Sequence, residues 1–223
     1  YFYVFFIATA LSYFFILRQL CYERILKWGI FSLVSLGCLI WMNDIIRQGI
    51  AFSIFIYSLR YMKKGDFLSY FICVAIACLF HYSAVVLLFF YFLRYLRLSS
   101  IVWILLIILT FVLQYAGIFR ELLKSLIAMI PYYGAYANKA DQYFVTGSVV
   151  GIGLIYKQLI AMCIALFYPK ISNKFYATLF LSGCVLDNIF LGTFIFERIS
   201  NYLVYTNIMV FPYFFKSVCS QRI

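Results

Sequence analysis

A chain of 223 residues that is 67% hydrophobic, 22% aromatic and only 11% charged carries too little polar surface to clothe a water-soluble globule. Its mean hydropathy of +1.02 makes the bilayer its main solvent and excludes a soluble enzyme, a disordered tail and a collagen-like chain together. The formal net charge of +11 does not signal nucleic-acid binding, because the basic residues stand in short clusters between apolar runs, as juxtamembrane anchors do.

The first apolar run covers residues 1–17. It opens at Tyr1 with no initiator Met and no basic region followed by a small-residue cleavage site, so further N-terminal helices are expected upstream. Apolar runs follow at 28–42, 46–62, 67–80, 82–93, 98–117, 149–168, 175–195 and 200–215. The pattern predicts an all-α, polytopic integral membrane protein, with about nine helical segments in a single transmembrane domain over 1–223.

A span needs about 20 apolar residues, so the runs at 28–42, 67–80 and 82–93 are short, and charge decides how they pair. The breaks holding Arg18, Arg24, Lys27, Arg60, Lys63, Lys64, Arg94, Arg97, Lys170, Lys174, Lys216 and Arg222 contain 12 of the 18 Lys and Arg, against two acids, Glu23 and Asp66. The positive-inside rule turns all of these breaks to the cytoplasm. The chain between 66 and 94 must then go in and come back, turning near His81, and Asn43 to Gln48 becomes an outer tip. The opposite face holds five bases (Arg47, Arg120, Lys124, Lys139, Arg198) against four acids (Asp44, Glu121, Asp141, Glu197). Residues 67–80 rise only about 21 Å as a helix, which sets His81 below the outer surface, within a cavity open to it. A single tilted helix over 67–93 is the competing reading.

The long connection at 118–148 begins with Ile118 to Ile130, where Arg120, Glu121 and Lys124 occupy one side and Leu, Ile and Met the other, an interfacial amphipathic helix on the outer face. Pro131 ends it. The stretch that follows carries Tyr132, Tyr133, Tyr136 and Tyr143 and is too polar to span. No internal repeat is evident.

Polar groups inside such a chain are informative because each is costly to insert. NDIIRQG at 43–49 places Arg47 at a helix start; FHYSA at 80–84 carries the lone histidine, His81; FERISNYL at 196–203 gathers Glu197, Arg198, Asn201 and Tyr202 at an outer helix boundary. Each has a bland reading as well: a snorkelling anchor for the arginines, a hydrogen-bonded turn residue for the histidine. Lys157 and Asp187 lie within spans at matching depths, roughly 12 to 14 Å from the outer ends of their helices, so a buried ion pair is expected. The seven cysteines show no CxxC spacing, and a single histidine allows no cluster of imidazole ligands; neither a metal site nor a cofactor is predicted.

Two guanidiniums, an imidazole and nearby carboxylates around an outer cavity suit a substrate that carries phosphates in the bilayer and hydroxyls in water. The run from Asn43 to Leu93, with RQ at a helix start and FH before a small residue pair, together with FERISNYL, resembles the EpsG-type polysaccharide polymerases, the Wzy class of O-antigen and exopolysaccharide polymerases. The resemblance covers about 50 contiguous residues. It implies a multi-pass glycosyltransferase of the bacterial inner membrane, similar to the GT-C class. Such an enzyme transfers a growing glycan from undecaprenyl diphosphate to another lipid-linked oligosaccharide repeat at the periplasmic or outer face, with membrane lipid and a chain-length regulator protein as further partners.

Mapped by motif, Arg47, His81 and Arg198 are the expected catalytic positions, and Gln48 and Tyr202 bind substrate beside them. Tyr132, Tyr133 and Tyr136 would stack on sugar rings. Arg47 and Arg198 would hold the donor diphosphate while His81 takes the acceptor proton; Asp44 or Glu197 is the alternative base. A transporter or flippase for a lipid-linked glycan is the runner-up, since it too needs cations for the diphosphate and an internal polar pair. A membrane acyltransferase with His81 as base is the third reading.

Overall fold

The computed structural model describes residues 2–128 and 152–219. Its regular elements are helices: α1 (Phe2–Tyr22), α2 (Leu26–Ser35), α3 (Cys38–Asp44), α4 (Ile46–Lys64), α5 (Phe67–Phe80), α6 (Leu87–Phe90), α7 (Ser100–Tyr115), α8 (Ile118–Ala128), α9 (Ile152–Phe167), α10 (Lys174–Phe190), α11 (Phe194–Val204) and α12 (Asn207–Cys219). Short 3-10 turns flank α6 at Tyr82–Val86 and Tyr91–Tyr95. The chain forms two compact units. The first comprises Tyr1–Arg97, Lys170–Leu179 and Tyr205–Ile223; the second comprises Leu98–Pro169 and Phe180–Val204.

Among the described residues, only α1 is long and apolar enough to cross a membrane alone, over Tyr3–Tyr22. Two further candidates are bent pairs, Leu26–Ser35 with Cys38–Asp44 at 62° and Ser100–Tyr115 with Ile118–Ser125 at 73°, which makes up to three spans. The run at 28–42 is therefore broken, because Gly37 takes φ +74 in its middle and ends one helix where the next begins. The last expected boundary also moves: FERISNYL lies within a helix of its own, α11, and the chain breaks after Val204.

In the first unit, α4 is the central element. Its residues Gln48 to Ile56, with Ser58, Leu59 and Met62, are buried on all sides, and the hydroxyls of Ser53 and Ser58 donate back to the carbonyls of Ile50 and Phe55, both at 2.7 Å. Gly65 caps α4 at φ +86, a value that favours glycine. Asp66 then caps α5 by accepting from the Ser69 amide at 3.1 Å and the Ser69 hydroxyl at 2.6 Å.

The chain reverses at His81, whose backbone is extended (φ −148°, ψ 111°). The return leg of the hairpin is fixed to α5 and to the Gly65 turn before it. Tyr70 donates to the carbonyl of Leu87 at 2.6 Å, Tyr91 donates to the carbonyl of Gly65 at 2.9 Å, and Arg94 donates to the Tyr91 hydroxyl at 2.7 Å. Gly65 and Arg94 thus share one end, and 67–93 is not one tilted helix. The 3-10 turns stretch the return leg, at about 2.0 Å per residue against 1.5 Å in an α-helix.

Side chains from α4, α10 and α12 meet at Glu23, beside the α1–α2 turn. Its carboxylate accepts from Lys63 Nζ at 3.1 Å, from the Tyr176 hydroxyl at 2.8 Å and from the Tyr213 hydroxyl. Gln19 joins the cluster through Tyr176 at 3.1 Å and through Arg60 Nε at 2.9 Å, and the Arg60 guanidinium lies over Tyr57 and Tyr22.

In the second unit, Ser100 of α7 donates to the carbonyl of Ala165 on α9. Gly183 of α10 lets α11 approach so closely that an added Cβ would meet the Leu203–Val204 backbone at 2.6 Å. The 118–128 stretch is helical, with Lys124 3.5 Å from Glu121.

Burial works against the charged form of Glu23, but hydrogen bonds from Tyr213, Tyr176 and Lys63 outweigh it and hold its pKa below the ordinary 4.5. The stabilisation this shift contributes is fully present above that ordinary value and is lost as pH falls through the lower folded value. Glu23→Gln should lower stability at neutral pH by about 1–3 kcal/mol and flatten the acid limb of the unfolding profile. Thermal unfolding of detergent-solubilised protein from pH 7 to 3 measures both; an unchanged acid limb in the variant would contradict the assignment.

Candidate functional site

Arg47 occupies the first turn of α4, immediately after the α3–α4 corner. Gly49 makes that corner tight, since a Cβ there would lie 2.7 Å from the carbonyl of Met42. Helical rotation then divides the motif: Arg47 and Asp44 are exposed, whereas Gln48 is fully buried. Gln48, expected beside Arg47 at the substrate, is turned into the interior of the first unit.

His81 caps the C-terminus of α5. It is half-buried, with Nε2 out of solvent and its backbone amide donating to Ala77 at 3.0 Å. The heights of Arg47 and His81 follow from the helices that carry them. From Arg47 to Lys64, α4 rises about 25 Å, and from Phe67 to His81, α5 rises about 21 Å, at 1.5 Å per residue. Since α4 and α5 are joined by the Gly65–Asp66 turn and packed along their length, Arg47 and His81 stand at the same end of the first unit. The Glu23 cluster stands at the other.

The FERISNYL residues belong to the second unit. The turn before α11 bends at Gly192 (φ +79), and the Gly192 amide donates to Glu197 Oε1 at 2.7 Å, so Glu197 folds back over the start of its own helix. Arg198 is exposed on α11, while Ser200 and Tyr202 are buried.

Beneath them the structure brings Lys157 and Asp187 together, with Nζ 2.6 Å from Oδ2. The Asp187 side chain is 4% exposed and that of Lys157 is 33% exposed. Asp187 Oδ1 also accepts from Ser200 at 3.0 Å, so one carboxylate ties α9, α10 and α11. One residue further along both helices, Gln158 donates to Asn188 at 2.5 Å, and Asn188 donates to Thr110 at 3.1 Å and to the Ile107 carbonyl at 3.3 Å, tying α9, α10 and α7. Gln114 adds a bond to the carbonyl of Leu191 at 2.7 Å.

This second rung of neutral amides escaped the sequence reading, which weighed charges. The signal was there all the same, as a Lys-Gln step and an Asp-Asn step at the same offset on two apolar helices. Tyr132, Tyr133, Tyr136 and Tyr143 lie outside the described residues. Among the described residues, no three His, Cys, Asp or Glu side chains gather in a group that could hold a metal.

The chain matches the EpsG family over residues 1–223, its whole length, and belongs to that family, which is a Wzy-like family of polysaccharide polymerases. It is a membrane protein of polysaccharide biosynthesis. No curated protein sequence and no solved structure matches it.

The polar rungs make a double-mutant cycle informative. Lys157→Met strands the Asp187 carboxylate and should cost about 3 kcal/mol of stability. Asp187→Asn, added to it, should recover at least half of that loss because the uncompensated charge is gone. Unfolding midpoints of the two single variants and the double variant measure the coupling; strictly additive losses would show that the contact contributes nothing.

Proposed function

We propose that this chain extends a glycan from one undecaprenyl-diphosphate-linked oligosaccharide onto the next at the outer face of the bacterial cytoplasmic membrane, as a multi-pass, GT-C-like glycosyltransferase. The observation that carries the reading is the shared height of Arg47 and His81 at the end of the first unit remote from Glu23, together with membership of a polymerase family. If the basic end is cytoplasmic, as the positive-inside rule requires, that remote end meets the periplasm.

An acceptor hydroxyl oxygen attacks the anomeric carbon of the donor. The bond from that carbon to the diphosphate oxygen breaks, and its electron pair leaves with the diphosphate. Arg47 neutralises the charge that builds on the leaving group, its guanidinium offering paired donors to phosphate oxygens, and the family motif gives Arg198 the same chemistry. His81 accepts the hydroxyl proton, as an imidazole at the end of the unit that bears Arg47 can do. Asp44 and Glu197 remain the alternative bases. Glu197 is already an acceptor for the Gly192 amide, which leaves Asp44 the more available of the two. The tyrosines of the 118–148 connection supply stacking surfaces for the sugars, and a chain-length regulator would act on the product.

The runner-up flippase reading draws less support, since the internal polar pair it would use, Lys157–Asp187, is bonded on to Ser200 and ties three helices together.

Purified protein in vesicles should lengthen a radiolabelled lipid-linked repeat. His81→Ala should abolish elongation with donor binding nearly unchanged, a loss on the order of 100-fold or more. Arg47→Lys, which keeps charge but loses the planar fork, should weaken both donor binding and turnover. Elongation by His81→Ala at the wild-type rate moves the base to a carboxylate. Label that crosses the bilayer without lengthening supports the flippase instead. Single cysteines at 43–48 should react with an impermeant maleimide from outside and those at 63–66 only after permeabilisation; the reverse pattern would place the reaction on the cytoplasmic face.

A further inference from the structure

At the basic end of the first unit, a cleft of about 310 Å³ opens between the α1–α2 turn and α12. Arg24 and Lys216 line it, with Trp28, Tyr213 and Phe215 as an aromatic wall and Glu23 also in the lining. The Glu23 carboxylate does not bar an anion, because Lys63 balances its charge and two phenols occupy its remaining acceptor sites. Neither Arg24 nor Lys216 is ion-paired among the described residues, and both side chains are exposed.

Arg24 also stands where a glycine would sit more easily. It closes α1 at φ +58, with its amide donating to Cys21 at 3.0 Å and the next amide, of Ile25, reaching back to Leu20 at 3.0 Å. This is a helix-ending turn whose left-handed residue is usually glycine. An arginine here bears backbone strain and holds a guanidinium at the cleft.

The wall distinguishes between kinds of anion. Trp28 stacks on Phe215 with centroids 5.4 Å apart and planes at 25°, and is half-exposed at 51%. Beyond it α2 presents Ile30, Phe31 and Val34 outward. A small soluble anion would use the two cations and leave this apolar surface bare, whereas a phosphate attached to an acyl chain would use both. We infer that the cleft binds the phosphodiester of an anionic membrane lipid, with Arg24 and Lys216 on the phosphate oxygens and the Trp28–Phe215 wall against the glycerol and the first part of the acyl chain. This site lies at the opposite end of the unit from Arg47 and His81, and it would hold a structural or regulatory lipid rather than the glycan donor.

The test is native mass spectrometry of the full chain in mild detergent, titrated with phosphatidylglycerol or phosphatidylcholine. Wild-type protein should retain phosphatidylglycerol in preference, and the double variant R24G/K216S should lose that retention at least tenfold. Arg24→Gly relieves the backbone strain, so its unfolding temperature should equal or exceed that of wild type, separating lost binding from lost folding. Lys216→Ser alone should show a partial loss and serves if the double variant is poorly produced. Phosphatidylglycerol retained equally by wild type and the variants would overturn the site. Displacement of the lipid by inorganic phosphate or glycerol phosphate at equal concentration would overturn the lipid assignment in favour of a soluble anion.

Discussion

The carboxylate of Glu23 holds the first unit in register. It sits at the end of α1 and takes donors from α4, α10 and α12, whose residues lie 40, 153 and 190 positions away. In an apolar surrounding such a group is costly unless every lone pair is met, and here Lys63, Tyr176 and Tyr213 meet them together. Hydrophobic contact alone would let helices slide past one another in a bilayer, where lipid tails offer much the same surroundings as leucine side chains. A charge-assisted cluster has one good geometry, so it fixes the height of each helix that feeds it. The N-terminal end of α4, with Arg47, is thereby delivered at a set level about 25 Å away.

The second unit follows the same logic with different chemistry. Lys157–Asp187–Ser200 and Gln158–Asn188–Thr110 form successive rungs across apolar helix faces. Gly183 supplies the close approach that brings Ser200 within reach of Asp187. A substituted rung would leave a buried polar atom without its acceptor, a greater penalty than the net gain from forming the bond. These residues therefore specify register more than they add stability.

The parts of this architecture that were legible from residues alone are those governed by charge and by strong punctuation. The hairpin at His81 followed from requiring basic breaks to share a face. The bounds of α4 and α5 follow from Lys63, Lys64, Gly65 and Asp66, which together spell a helix end and a helix start. The Lys157–Asp187 contact followed from counting depth. What escaped were features without a charge signal. Gly37 breaks a run that hydropathy reads as continuous; the 3-10 geometry around α6 has the same apolar composition as an α-helix; and the Gln158–Asn188 rung is neutral. Gln48 was grouped with Arg47 by adjacency, although one residue of helical rotation, about 100°, turns it into the core. The start of α11 was missed because Glu197 looks like a boundary charge, whereas its carboxylate bonds to the Gly192 amide just ahead of its own helix.

The cations of this chain divide by what surrounds them, and the division bears on where chemistry can occur. Arg60 is bonded to Gln19 and stacked on two tyrosines, Lys63 is bonded to Glu23, and Lys157 is bonded to Asp187. Each is committed to the framework and would forfeit a buried partner if it turned to a substrate. Arg47 is exposed at the mouth of the tight α3–α4 corner and carries no such commitment among the described residues. A guanidinium with no buried partner to give up can meet phosphate oxygens without breaking the framework, so on the proposed reading its interaction can strengthen as charge develops on a leaving diphosphate. On the proposed reading the framework cations and the exposed arginine are therefore complementary: the first group holds the helices still, and that stillness is what makes the exposed arginine useful to a reaction whose barrier is largely electrostatic.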